Sequence, residues 1–578
     1  MLWLSPGCSN EGDAVAAELT PVACRALDTT LLALFTPRRL QERLPCRWPT
    51  PPGTPPSPKK AYHSFYTYLG WEDLCQPGAW KPSSEFDLLL RLVDFSALRP
   101  VLAQLLGWKS GRGWKPFDPV SLFLLVGWQI IHHWTRTQTL LHLRHPRYAD
   151  YARRFGFRKG RYPTEGGVRH FLTTLGRRST SADTICVDEK QPIRIAVQRL
   201  NQLVVQSVRL IQETGLISQT AWEKALVCPD GMLHPAASAP HCNAVTQPCY
   251  QSTSPHSPRP CAAKEKGHRG CNCDTAACAQ MCRHATPRDP LARFVWYSGS
   301  NEDHDSPNRP TTEAAGSPPK GKGVYGYRSL PLQLADPVRR FSLILLDDFR
   351  PANEREENPA SALLLQLHTH YPDLHPDAVA GDAGFGYDLP LRIIHEQLQA
   401  RRVVDLRSHP TDKDKSQWGV RGYDDKGRPV CPYGYPFQSN GVDSQRHRHK
   451  WICARACQNG ASPVVELPHA IYPPPECPYQ GAEHPHGQVI HVGKRFKDGS
   501  IRLVRDVPVG SSEWKRLYHR ARNAVESRHA TFERWGLKRL PVYGDPRGRA
   551  TIFQADVWYN LTTMARLTRE AVLAAGAT

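Results

Sequence analysis

The stretch AVAGDAGFGYD, residues 378–388, decides the reading of this chain: a short apolar run delivers Asp382 into a glycine-rich turn. KALVCPDGML, residues 224–233, repeats the pattern, with Asp230 directly after the run ALVCP. An acid at the end of a strand stands where α/β sheets present side chains to ligands. Working outward, the runs Lys224 to Cys228, Ala292 to Tyr297, Tyr325 to Leu334, Phe341 to Leu346, Ala378 to Ala380 and Arg402 to Leu406 are short, apolar or β-branched and bounded by turn residues, so each predicts a strand. Helical patterns at Pro359 to Thr369 and Leu389 to Ala400 lie among them, and together they predict a mixed α/β sheet.

Upstream the period becomes helical. Phe86, Leu89, Leu90 and Val93 fall on one face behind Ser84, a residue suited to capping. Asp118 and Pro119 form an N-cap and first-turn pair ahead of an apolar helix reaching Trp134. Shorter helices are expected at Gln138 to Arg144 and from Pro163 and Thr164 through Leu172, and a longer one from Ile193 to Thr214. Residues 1–82 are irregular and carry the prolines of 49–58, which exclude helix and central strand. The expected organisation is therefore an irregular segment 1–82, a helical unit 83–180, a connecting helix 181–221 and an α/β unit 222–578. That last unit is interrupted by a Cys-rich insertion 234–289 and a second Cys-rich insertion 410–487.

Lys and Arg number 74 against 54 Asp and Glu, a net charge of +20, which points to an anionic partner such as nucleic acid. Arg153, Arg154, Arg158 and Lys159 concentrate that charge in the helical unit, where they could grip a DNA backbone or form a solvated face. The longest apolar run, Val120 to Ile131, is too short to span a bilayer, so no membrane partner is expected. The start, MLWLSPGCSN, has no secretory signal pattern; a cytoplasmic, reducing location is expected, with the 17 cysteines as thiols or metal ligands.

A third acid, Glu526, lies in WKRLYHRARNAVESRHATFERWG, where Tyr518, Arg522 and Glu526 share one helix face. Three carboxylates suit two Mg²⁺ or Mn²⁺ ions about 3.5–4 Å apart, the arrangement that activates the attacking oxygen and stabilises the leaving one in phosphoryl transfer. Taken singly, Asp230 and Asp382 are also ordinary turn residues, and Arg522 with Glu526 an ordinary surface pair. Asp347 and Asp348, after FSLILL, and Asp388 are rival ligands.

CPDGMLH, DPLARFVWYSGSN with GYRS, GDAGFGYD and RARNAVESRHATFERWGLKRLPVYG together resemble the DDE transposases of bacterial insertion sequences. FDPVSLFLLVGWQIIHHW and GFRKGRYPTEGGVRHFL look like the helical domain that precedes catalysis in them. The resemblance spans roughly residues 85–575. It implies an N-terminal all-α DNA-binding domain, a ribonuclease H-like α/β catalytic domain, and Asp230, Asp382 and Glu526 as catalytic metal ligands. It also implies Arg522, Arg534 and Lys538 as DNA contacts, and double-stranded DNA, both terminal repeats and target, as partner of a homodimer. His519 and Glu533 stand where many members carry Tyr and Lys. The alternatives are a non-catalytic zinc-bearing DNA-binding protein derived from a transposase, and a metal-dependent nuclease that never joins strands.

Cys431, Cys453, Cys457 and Cys477 lie in the second insertion, whose few aliphatic residues leave its ordering entropy poorly offset. Four thiolates suit a structural Zn²⁺, with free thiols as the alternative. Arg446 to Lys450, beside Trp451, would add a basic surface. The richer cluster Cys242 to Cys282 offers too many ligands for a set to be chosen.

Overall fold

The computed structural model describes residues 37–51, 54, 68–76, 85–107, 117–178, 184–188, 193–237, 241–242, 285–286, 289, 291–297, 322–336, 339–404, 422–423, 428–443, 448–460, 462–463, 477, 479, 487–493, 507 and 512–576. Ser84 and the Cys249–Cys282 part of the first cluster lie outside them. Helices Glu85–Leu92 (α1), Leu98–Leu105 (α2), Pro119–Ile131 (α3), Arg136–Arg144 (α4), Ala149–Arg154 (α5) and Glu165–Leu175 (α6) form the helical part. Their starts follow from the sequence. The Asp118 carboxylate accepts the Val120 N–H at 2.9 Å, Thr135 and Gln138 form a capping box, and Thr164 accepts the Gly167 N–H at 3.1 Å. α3 stops at Ile131 rather than Trp134 because His133 takes φ 53°, a left-handed backbone that cannot continue the helix.

The helix expected from Ile193 begins later. Ile193–Ala196 pairs antiparallel with Thr184–Asp188, and the helix spans Asn201–Glu213 (α7). Ile193 and Ile195 alternate with Arg194 and Ala196, the two-residue period of a strand.

Five strands make the main sheet: Leu226–Pro229 (β1), Leu332–Asp336 (β2), Phe341–Leu346 (β3), Ala378–Gly381 (β4) and Arg401–Val404 (β5), in spatial order β3-β2-β1-β4-β5. β2 is antiparallel to both neighbours, while β1, β4 and β5 run parallel. The expected single strand Tyr325 to Leu334 breaks at Leu330 and Pro331. Lys322–Ser329 belongs instead to a second, antiparallel sheet with Met232–Pro235, Arg293–Tyr297 and Phe349–Pro351. Pro331 has no N–H to give to a ladder, and the chain changes sheet there.

Three further helices clothe this sheet: Glu357–His370 (α8), Ser512–Arg534 (α9) and Asp545–Gly576 (α10). Strand residues alternate between two apolar clusters. Val227, Leu334, Val379 and Val404 join the main core, while Leu226, Cys228, Ala335, Ala378, Ala380 and Val403 pack with Trp514, Leu517, Ala521 and Val525 of α9. Most of that second face is small, which lets α9 lie close across all five strands; Cys228 Sγ is 3.6 Å from the Ala521 carbonyl oxygen.

α10 packs against α1, α3, α6, α7 and β3. Its Trp558 is fully buried against Phe86, Phe95 and Phe123, with ring centroids 5.1, 5.9 and 5.4 Å away. A Cβ on Gly127 would overlap that indole, so only glycine admits this approach of α3 and α10. The edge strand β3 is closed by amides: Asn560 bonds both the N–H and the carbonyl of Ile344, and Asn201 both those of Asp347.

Arg528 of α9 joins these layers. Its guanidinium donates to Asp556 of α10 at 2.7 and 3.0 Å and to Asp347, just past β3, at 3.1 Å, and all three side chains have no solvent exposure. Arg528→Met, similar in volume, leaves two buried carboxylates without a cation. It should lower the free energy of unfolding by about 3–5 kcal/mol, read by urea titration, and a fall below about 1 kcal/mol would contradict a buried role for this group.

Candidate active site at the strand ends

Asp230 directly follows β1 and Asp382 directly follows β4, and because these strands are parallel neighbours both acids emerge at the same edge of the sheet. The Asp230 backbone N–H bonds the Pro331 carbonyl at 3.3 Å, while the Gly231 N–H is directed at the Asp230 carboxylate and Asp382 Oδ1 accepts the Gly384 N–H at 2.8 Å. Cys228, Pro229, Asp230, Ala380, Gly381 and Asp382 form one wall of a small cleft, and Tyr518, Ala521, Arg522 and Val525 of α9 form the other.

Arg522 Nη1 stands 3.2 Å from Asp230 Oδ2, and its Nη2 lies 4.0 Å from Glu526 Oε1. Glu526 itself is 63% exposed and sits outside the lining of the cleft; Arg522 ties it to Asp230. Tyr518 does face the cleft, stacked on Trp514 with ring centroids 4.2 Å apart.

The structure adds a carboxylate that the sequence did not single out. Glu356, at the start of α8, pairs with Arg328 at 3.1 Å, and a Cβ on Gly231 would lie 2.5 Å from its Oε1. It therefore borders the same turn as Asp230. Burial raises the Glu356 carboxyl above its ordinary range, Arg328 lowers it, and Asp382 raises it further. Asp230 is pushed up to about 7, chiefly by burial; Arg522 draws it down, while Asp382 and Glu356 push it up. Burial works to lower the Arg522 guanidinium, but Asp230 leads the groups that hold it above its usual value.

The rival acids have structural partners: Asp347 belongs to the Arg528 network, and Asp348 pairs with Arg350. The basic residues expected at DNA divide. Arg153 pairs with Asp150 at 2.8 Å, and Arg154, only 16% exposed, pairs with both Asp87 and Asp150. Arg158 and Lys159 are exposed on a tight turn after α5, Arg534 is exposed, and Lys538 is exposed beside Glu533. In the second insertion, Cys431, Cys453, Cys457 and Cys477 line a single cleft, although 46 residues separate the first from the last. Arg446 and His447 lie outside the described residues. Among the described residues no group of three or more His, Cys, Asp or Glu is already arranged to hold a metal ion, and no helix is long and apolar enough to cross a membrane.

No protein-family model matches the chain, and no curated protein matches it.

A pH dependence follows from Asp230. Its folded value of about 7 lies above the ordinary 3.8, so between these values the folded state keeps a proton that the unfolded chain releases. Stability from this group is fully present below about pH 4 and is lost as pH rises through 7. In chelator, urea unfolding should show the parent losing a few kcal/mol relative to Asp230→Asn between pH 4 and 8. Parallel pH curves would contradict the assignment.

Proposed function

We propose that the chain is a DDE transposase with a ribonuclease H-like catalytic domain, which binds element ends and performs metal-dependent DNA cleavage and strand transfer. One observation carries the reading. Asp230 and Asp382 end neighbouring parallel strands of a β3-β2-β1-β4-β5 sheet, and the helix carrying Arg522 and Glu526 lies across its face. That strand order, with β2 reversed, is the one expected of a ribonuclease H-like fold.

The donor set suits hard divalent cations: Asp230, Asp382 and Glu526, with Glu356 adjoining, offer carboxylate oxygens, and burial, with Asp382 and Glu356 nearby, raises the proton affinity of Asp230. When bound, Mg²⁺ or Mn²⁺ would activate the attacking oxygen and stabilise the leaving 3′ oxygen of a phosphodiester. The chain's own residues do the rest. Arg522 holds Asp230 in place and bridges it towards Glu526; its guanidinium is also a donor for a phosphate oxygen at the cleft. Tyr518, stacked on Trp514, gives that wall an aromatic surface beside the DNA. Arg158, Lys159, Arg534 and Lys538 supply exposed cations for backbone phosphates, in keeping with the net charge of +20. Transposition cuts two element ends, so a homodimer on DNA is the expected working form.

Incubating the full chain with labelled element ends and Mg²⁺ tests this. Nicked and joined products are expected; nicks without joining would make it a nuclease, and binding without either would make it a non-catalytic DNA-binding protein. Asp230→Asn, Asp382→Asn and Glu526→Gln should each abolish both products while leaving DNA binding within about threefold, because an amide removes the ligand charge at nearly constant volume. Cleavage at the parental rate by Asp382→Asn would refute the site.

Affinity should fall steeply with salt. Reversing Arg158 and Lys159 to Glu should weaken binding to every sequence and flatten the slope of log K against log salt by roughly 0.9 for each phosphate that is no longer neutralised. An unchanged slope would remove this turn from the DNA interface.

A further inference from the structure

Among the described residues of the second insertion, Val430, Tyr435, Phe437 and Ala456 are buried apolar side chains, and beside them is a cleft lined by cysteines. Three segments meet there: the turn Cys431 to Gly434, the turn Cys453 to Cys457 that follows strand Arg448–Ile452, and the segment around Cys477. The four thiols face one cleft, and all four are free rather than paired in disulfides.

The backbone around each sulfur is arranged in the same way. Arg455 N–H points at Cys453 Sγ at 3.3 Å. Burial raises the thiols of Cys431, Cys457 and Cys477, and against it the N–H groups of Tyr433 and Tyr435 are directed at Cys431, those of Cys457 and Gln458 at Cys457, and that of Tyr479 at Cys477. A neutral thiol is a weak acceptor and gains little from such donors, whereas a thiolate gains a charge-assisted bond from each. The turn that supplies one of them is strained, since Ala454 and Arg455 both take left-handed backbone, φ 49° and 51°. Four thiolates in one cleft repel one another unless a cation stands between them.

We propose that Cys431, Cys453, Cys457 and Cys477 are the four ligands of a structural Zn²⁺ centre. Soft sulfur donors in a set of four select a tetrahedral zinc ion over the hard cations suited to the carboxylate cleft. The four cysteines line one cleft together with Tyr433, Tyr435 and Tyr479. Gly487 is part of the arrangement: it takes φ +64°, and a Cβ there would overlap Cys453 Sγ. Bound, the ion ties the Cys431 turn to the three-stranded sheet Gln438–Asp443, Arg448–Ile452 and Val489–Gly493, giving the insertion a staple in place of a core. This inference does not rest on the proposed DNA chemistry, because the metal is measured without DNA.

The test uses the full chain purified without chelator. Elemental analysis should find that Cys453→Ser with Cys457→Ser contains one zinc equivalent fewer than the parent, and that Gly487→Ala, which keeps all four ligands, also loses most of that equivalent. Cys75→Ser, an exposed thiol elsewhere, should leave the content unchanged. Replacing zinc by Co²⁺ should give the parent the intense visible bands of tetrahedral cobalt thiolate, absent from the double variant, and this separates loss of ligands from general unfolding. Equal zinc content in parent and double variant would overturn the proposal. So would finding these cysteines joined as disulfides in freshly purified protein, by mass mapping.

Discussion

The buried ion group of Arg528, Asp347 and Asp556 fixes the frame on which the cleft depends. Arg528 sits two residues past Glu526 and points the opposite way, into the protein, where its guanidinium also lies 4.0 Å over the Phe532 ring. An uncompensated charge in that position is costly, so the helix has one rotational setting and one axial position at which both carboxylates are satisfied. That setting turns Tyr518, Arg522 and Val525 towards the strand ends and leaves Glu526 at the rim. Burial and the neighbouring Asp556 raise Asp347 well above the ordinary carboxylate range, while Arg528 works against them. The Arg528 group is therefore a locating device whose net effect on stability is smaller than the sum of its bonds.

Much of the sheet was legible because its signals are local. An apolar run ending in Asp230 or Asp382 states both the strand and the exit, and the alternation of small and branched residues in Ala378–Gly381 states which face a helix approaches. Glu356 was not legible, since it reaches the cleft through the chain's return at the start of α8 and no spacing marks it. Arg154 read as an open cation, and only the fold brings Asp87, 67 residues earlier in the chain, against it. The strand Ile193–Ala196 was missed because four alternating residues beside a strong helical period are a weak signal. The apolar pattern on both sides of Pro331 likewise reads as one strand, Tyr325 to Leu334, although a proline without an N–H stands where the chain changes sheet.

The same limit applies to the N-terminal helices. Their caps are written in Asp118, Thr135 and Thr164, yet their core is not self-contained, because Trp558 fills the space among Phe86, Phe95 and Phe123. Gly127 looks like a defect in a long apolar helix until the indole that occupies its place is known.

This dependence sets an order of events during synthesis. The first helices leave the ribosome more than four hundred residues before Asp545–Gly576, and until that helix emerges the groove beside Gly127 has no tenant. The helices around Gly127 therefore complete their core only once Trp558 has been made. A ribosome that stalls before Asp545–Gly576 releases a chain with an open aromatic groove, which is the kind of surface that chaperones and proteases recognise.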